Sequence, residues 1–339
     1  MNWSIIGWLT LLCLAMTGHA LAGPENEAYG PELEGFSYPY PLGHFVFTSQ
    51  GENLQMAYMD VMPVAPANGR TIVLMHGKNF CGATWETTIA ALSAKGYRVV
   101  VPDQIGFCAS SKPKHYQYSF QQLAANTQAL LSQRGVSSAI LVGHSTGGML
   151  ATRFALMYPA AVERLVLVNP IGLEDWKALG VPSRSVDEWY ERELNLSADG
   201  VRQYEKAVYY GGQWKPEYER WVQMLAGLNR GPGHPVVAWN SALIYDMIFT
   251  QPVVYEFSLL KMPTTLMLGI DDTTAIGSDI APPEVKAKLG HYDMLGKEVI
   301  ERIPGAHLIE FPGLGHAPQI QDPEMFNQTL LDELAHLVP

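Results

Sequence analysis

Apolar residues along this chain fall in short back-to-back runs more often than in strict alternation. Thr71–Met75, Tyr97–Val101 and Ala139–Val142 are such runs. Continuity of this kind suits strands buried on both faces of a parallel sheet. Arg164–Val168, Thr264–Leu268 and His307–Phe311 read as three more strands. Between them the spacing turns helical. Trp85–Leu92 reads as a helix stopped near Gly96. Ser119-Phe120-Gln121-Gln122 is a capping-box pattern opening a helix toward Gly135. Met149, Leu150, Phe154 and Leu156 form a further helix, closed by Tyr158-Pro159. Asp322-Pro323 opens a last helix to about His336, with Asp at the N-cap and Pro at the first helical position. Near the start, His44–Thr48 and Leu54–Val61 pair as a hairpin across Gly51-Glu52-Asn53. Strands alternating with helices predict an α/β fold, a mostly parallel doubly wound sheet of about eight strands covered on both faces.

Residues 174–258 break this rhythm. They hold five of the six tryptophans that follow residue 22, and their patterns are helical with no convincing buried strand. They read as a helical lid inserted after the strand that follows the Met149–Leu156 helix, over the carboxyl edge of the sheet. Its aromatics form its own core or partly line a pocket. The core is then 23–173 and 259–339, with 23–43 a proline-rich extended lead-in. Ala275–Arg302 is a longer stretch between two strands and carries no assigned role.

Residues 1–22 read as a secretory signal: an apolar run, Ile5–Met16, too short to span a bilayer comfortably, then Ala20-Leu21-Ala22 as a cleavage pattern. The expectation is an exported protein, periplasmic or secreted, with no stable membrane anchor after cleavage. Cys13 leaves with the signal, and Cys81 and Cys108 remain. Each follows a strand end by the same interval, so an oxidising compartment predicts a Cys81–Cys108 bridge. Net charge is −11, with Lys+Arg 22 against Asp+Glu 33 and no basic run, which argues against nucleic acid as a partner.

The chemistry centres on Leu141-Val142-Gly143-His144-Ser145-Thr146-Gly147-Gly148. A strand enters this Gly-x-Ser-x-Gly and a helix leaves it, which is the context of a nucleophile elbow. Ser145 must sit on a sharp, strained turn, and side chains at 143 and 147 would collide across it. A serine hydroxyl needs a base, the base an orienting acid, and the oxyanion needs donors. The acid should follow a later strand. Gly269-Ile270-Asp271-Asp272 offers Asp272, with Asp271 the alternative. The base should follow the next strand, where Gly313-Leu314-Gly315-His316 offers His316. Thr146 supplies one oxyanion N–H, and Lys78 the other, with Asn79 the alternative; His76 and Gly77 shape that loop. No spacing of histidines or cysteines reads as a metal site, and there is no dinucleotide or phosphate-loop motif, so neither metal nor cofactor is expected.

These motifs, with Asp103-Gln104-Ile105-Gly106-Phe107 and Ser110-Ser111-Lys112-Pro113, resemble the α/β-hydrolase superfamily in order and spacing from about residue 44 to 337. The pattern is similar to the branch of lid-bearing lipases and esterases, meta-cleavage-product hydrolases, haloalkane dehalogenases and epoxide hydrolases. The last two groups carry Asp at the elbow where this chain has Ser145, so their activities do not transfer. The resemblance also expects His-Gly-x-Pro where this chain has His76-Gly77-Lys78-Asn79. The reading is a serine hydrolase that cleaves small to medium apolar esters through an acyl-enzyme. A carbon–carbon bond hydrolase, a lactonase, an aminopeptidase and a perhydrolase share the machinery. Acidic residues of the lid (Glu174, Asp175, Asp187, Glu188, Glu191 and Glu193) are what an aminopeptidase would use to hold an amine. A non-catalytic ligand-binding module is the rival of a different class.

Overall fold

The computed structural model describes residues 27–335. The expected signal at 1–22 therefore lies outside the described residues. Eight strands form one sheet: β1 (Leu42–Ser49), β2 (Glu52–Val61), β3 (Thr71–Met75), β4 (Arg98–Pro102), β5 (Ala139–His144), β6 (Val162–Val168), β7 (Thr264–Gly269) and β8 (His307–Phe311). Their spatial order is β1-β2-β4-β3-β5-β6-β7-β8. The β1–β2 and β2–β4 pairs are antiparallel, and every later pair is parallel.

The back-to-back apolar runs are explained by two cores, one on each face. Successive side chains of a strand point to opposite faces. Val73, Val100, Leu141, Leu165, Leu167, Leu266 and Leu268 join one buried cluster. Ile72, Leu74, Val99, Ile140, Val142, Val166 and Met267 join the other. A strand with apolar layers on both sides has no polar face to alternate. Helices α1 (Glu86–Ser93), α2 (Phe120–Gln133) and α3 (Thr146–Met157) connect the early strands. Residues of α2 and α3 pack in the first cluster and those of α1 in the second. The Ser119 hydroxyl accepts the Gln122 N–H at 3.0 Å, as the capping pattern requires, while the Gln122 amide turns away to Asn126.

Between β6 and β7 the chain leaves the sheet and forms α4 (Val186–Leu194), α5 (Ala198–Tyr204), a π-turn (Glu205–Tyr209), α6 (Glu219–Arg230) and α7 (His234–Thr250). Trp176, Trp189 and Trp221 are buried here, and Trp214 packs on Tyr210 and Tyr218. The lead-in is tied to this insertion: the Tyr29 N–H donates to the Gly227 carbonyl at 2.9 Å. The unassigned stretch after β7 contains α8 (Pro283–Lys286) and α9 (Tyr292–Ile300), and Tyr292 and Val299 of α9 enter the first core. Helices α10 (Pro318–Gln321) and α11 (Pro323–Ala335) close the fold. Asp322 accepts the Met325 N–H at 3.0 Å, the predicted N-cap contact.

The expected Cys81–Cys108 bridge is not present. Both residues are free, buried thiols. The strand ends do bring the two sulfurs within 4.8 Å, and each has a further contact: Cys81 Sγ with Met224 Sδ at 3.2 Å, and Cys108 Sγ with the Phe80 carbonyl at 3.4 Å. Equal spacing after neighbouring strands sets proximity, whereas a bridge also needs a particular orientation of the two Cβ–S bonds.

Phe326 of α11 is fully buried between Trp85 and Phe311. Phe326→Ala should cost about 3–5 kcal/mol through lost transfer energy and the remaining cavity. A loss of unfolding free energy in urea of less than a third of that would show that α11 is not part of the cooperative core.

Candidate active site

Four strands deliver their carboxyl ends to one point, where open α/β sheets place their ligand crevices. After β5 the chain turns at Ser145, whose φ is 56° and ψ is −122°. A side chain at Gly143 would strike the Gly147 carbonyl, and one at Gly147 the Met75 carbonyl. The two glycines thus allow the strand, the turn and the β3 loop to meet. The Ser145 hydroxyl lies 2.9 Å from His316 Nε2. His316, in the loop after β8, places Nδ1 2.6 Å from Asp272 Oδ2. The Asp272 carboxylate is buried and Asp271 is exposed, which decides between the two. With Nδ1–H donating to the carboxylate, Nε2 is left to accept from serine. Lys78, Asn79 and Thr146 line the same small cavity as Ser145. Thr146 opens α3, so its N–H has no partner within the helix. A Cβ at Gly77 would lie 2.9 Å from Ser145 Cβ, so glycine is what lets the β3 loop approach the serine.

Residues 70–220 match a family model described as the alpha/beta hydrolase fold. The crystal structure of a probable hydrolytic enzyme from Pseudomonas aeruginosa PAO1 is 66% identical with a TM-score of 0.90, covering 91% of this chain and 98% of that one. The chain belongs to the alpha/beta hydrolase family. Among named relatives of this α/β hydrolase, the RutD protein of Pantoea ananatis carries a provisional carbamate hydrolase assignment. It is 29% identical, with 82% of this chain and 92% of that protein covered. A 2-hydroxy-6-oxononadienedioate/2-hydroxy-6-oxononatrienedioate hydrolase of Comamonas testosteroni is 25% identical, with 79% of this chain and 88% of that protein covered.

Several side chains that complete this site in the α/β hydrolase went unread in the sequence. The Asn169 amide follows β6 and donates to Asp272 Oδ2 at 3.0 Å, while its oxygen accepts the Gly269 N–H at 2.8 Å. Thr274 gives Asp272 Oδ1 both its N–H at 2.8 Å and its hydroxyl at 2.6 Å. With the His316 ring, the carboxylate therefore receives four donors, which hold it in one orientation. Asn169-Pro170 stands directly after a predicted strand, like the three proposed site residues, and that position was the available signal. His144 bonds the His316 backbone carbonyl through Nε2 at 2.8 Å. Burial holds its pKa well below the ordinary histidine value, so it stays neutral and donates. His76 is likewise lowered by burial, accepts the Gln104 N–H at 3.1 Å and bonds the Gly77 carbonyl, which makes it a loop anchor. From the insertion, Tyr209 stacks on the His316 ring at 4.7 Å, and its hydroxyl accepts from the Asn79 amide at 2.9 Å. The aromatics on the cavity wall are Tyr204, Tyr209 and Tyr245, not the tryptophans.

The three buried groups Cys81, Asp103 and Cys108 have ligand-type atoms within 4.8 Å of one another. The Asp103 carboxylate, however, already accepts the Gly82 N–H at 2.7 Å, the Ala109 N–H at 3.1 Å and the Tyr38 hydroxyl. Its evident work is to fasten the loops after β3 and β4 together.

Two outcomes follow from these contacts. Asn169→Ala removes one bond to a buried carboxylate, worth about 1.5–3 kcal/mol, so fluorophosphonate labelling of Ser145 should slow about ten- to a hundredfold with the fold retained. An unchanged rate would show that Thr274 alone orients Asp272. For His144, the folded pKa is depressed, so the unfolded chain binds the extra proton first. Its contribution to stability is full above about pH 6.5 and is lost as pH falls. His144→Gln should therefore flatten the fall in Tm between pH 7.5 and 5.5 relative to wild type; equal slopes would refute a neutral buried imidazole.

Proposed function

We propose that the protein is an exported serine hydrolase that cleaves carboxylic esters through an acyl-enzyme. The observation that carries this reading is the continuous chain from Ser145 Oγ to His316 Nε2 at 2.9 Å and from His316 Nδ1 to Asp272 at 2.6 Å. Ser145 attacks the carbonyl carbon as His316 takes its proton. The N–H groups of Lys78 and Thr146 receive the oxyanion, each worth about 3 kcal/mol. His316 then protonates the leaving alkoxide, and water, activated by the same imidazole, releases the acid. Asp272 steadies the imidazolium and fixes the tautomer. No cofactor enters these steps.

The surroundings favour an apolar, neutral substrate. The cavity at Ser145 is walled by Ile171, Ile248, Ile276 and three tyrosines. At about 10 Å³ it has room for about one water, so a substrate enters as side chains or the insertion shift. Of the acidic residues that an aminopeptidase would use, Glu193 reaches Lys78 of the cavity wall, and its charge is engaged there at 3.3 Å. That weakens the amine-binding reading. The RutD relative supports a carbamate, and the Comamonas relative a carbon–carbon bond, as substrates for the same three residues.

Purified protein should turn over simple apolar esters faster than carbamates, lactones, aminoacyl amides or a vinylogous diketone. Ser145→Ala and His316→Ala should each lower that rate by about 10⁴-fold or more. Preferred turnover of the diketone or a carbamate would replace the ester reading. Full activity in Ser145→Ala would remove the mechanism altogether.

A further inference from the structure

The cavity at Ser145 has a neighbour. A second cavity of about 60 Å³ adjoins it, and Lys78 and Asn79 line both. Its wall is largely aliphatic, formed by Leu196, Leu225, Leu228, Val237, Ala238 and Ile244. The charged groups at its edge are each engaged. Lys112 donates to the carbonyls of Cys108 and Ser110. The Lys78 ammonium lies 3.3 Å from Glu193 Oε2 and 3.7 Å from the centre of the Tyr245 ring. Glu193 Oε2 also accepts the Ser241 hydroxyl at 2.5 Å.

The side chains of Lys78 and Glu193 are only 10% and 7% exposed. A buried ion pair gains little stability over an apolar pair of the same shape, because both ions lose their hydration. Its place here is informative for another reason. Lys78 belongs to the loop after β3, and Glu193 to α4 of the insertion. Lys78 stands in the wall that the two cavities share, and Glu193, which lines the aliphatic one, holds its ammonium. A lysine stem is flexible and apolar, and it can swing while its ammonium keeps a polar partner.

We propose that the aliphatic cavity receives a short, unbranched apolar chain of the substrate, and that the Lys78 side chain, tethered by Glu193, is the movable partition that admits it. The proposal rests on the ester reading for the chain's identity, but not for its test. The experiment measures Ser145 labelling by alkyl fluorophosphonates from methyl to octyl, a reaction that needs the nucleophile and no turnover. Alongside it run p-nitrophenyl esters from acetate to octanoate, and acetates of alcohols of the same lengths. The first ester series reports an acyl chain in the cavity, the second an alkoxy chain.

Ala238→Phe fills the cavity and should lower the rates of hexyl and longer reagents by about tenfold while methyl is unchanged. Leu228→Ala enlarges it and should move the optimum to longer chains. Glu193→Gln leaves Lys78 without its counter-charge and should raise long-chain over methyl labelling by about threefold. Length profiles identical to wild type in Ala238→Phe and Leu228→Ala, with melts showing both folded, would overturn the proposal. An unchanged profile in Glu193→Gln alone would make the pair a fixed wall and remove the partition. Length-dependent labelling without ester turnover would keep the cavity and sink the ester reading. Ester turnover with no length dependence in any series would do the reverse.

Discussion

The positive φ at Ser145 is the constraint on which the rest of the structure depends. A non-glycine residue held there costs of order 1–3 kcal/mol, so its surroundings must over-determine it. They do so from both sides. Every residue of β5 is buried, and α3 begins on the next residue and packs its apolar face into the core. The Ser145 N–H is held by the Val168 carbonyl of β6 at 3.1 Å. A relaxed turn would pull its hydroxyl away from His316. The glycines at 77, 143 and 147 keep that neighbourhood free of side chains.

Around that turn the site is built in shells of decreasing rigidity. Asp272 receives its donors from residues that follow β6 and β7, so the sheet itself orients the acid. His316 comes from a loop, and its backbone is pinned from beneath by His144. The outermost contacts come from the insertion: Tyr209 on the imidazole, and Glu193 on Lys78. The same loop after β3 thus faces the serine with its backbone and the insertion with its side chains. Movement of the insertion and the shape of the loop after β3 are physically linked by that arrangement.

The fold and the three site residues were legible because each leaves a local mark. A strand buried on two faces writes an unbroken apolar run, and a strained elbow writes two glycines around a serine. Asn169, Thr274 and Tyr209 leave no such mark. Asparagine after a strand, threonine after an aspartate and tyrosine on a helix are common for unrelated reasons. Only the fold shows that the first two meet one carboxylate and the third covers one ring. The cysteines show the opposite error. Their spacing does bring the sulfurs within 4.8 Å, yet both remain free thiols, because a bridge needs a bond geometry that spacing does not carry.

By itself, then, the sequence determined the layered architecture, the elbow, and the order serine, aspartate, histidine, because these follow from periodicity and backbone sterics over a few residues. Tertiary structure decided what depends on contacts between distant segments. It buried Asp272 beside His316 and left Asp271 exposed, bonded His144 to the His316 carbonyl, and placed tyrosines instead of tryptophans over the serine. It also paired Lys78, which lines both cavities, with Glu193 from a far-apart stretch. Such features arise from packing between elements, and no local pattern of residues specifies how one element faces another.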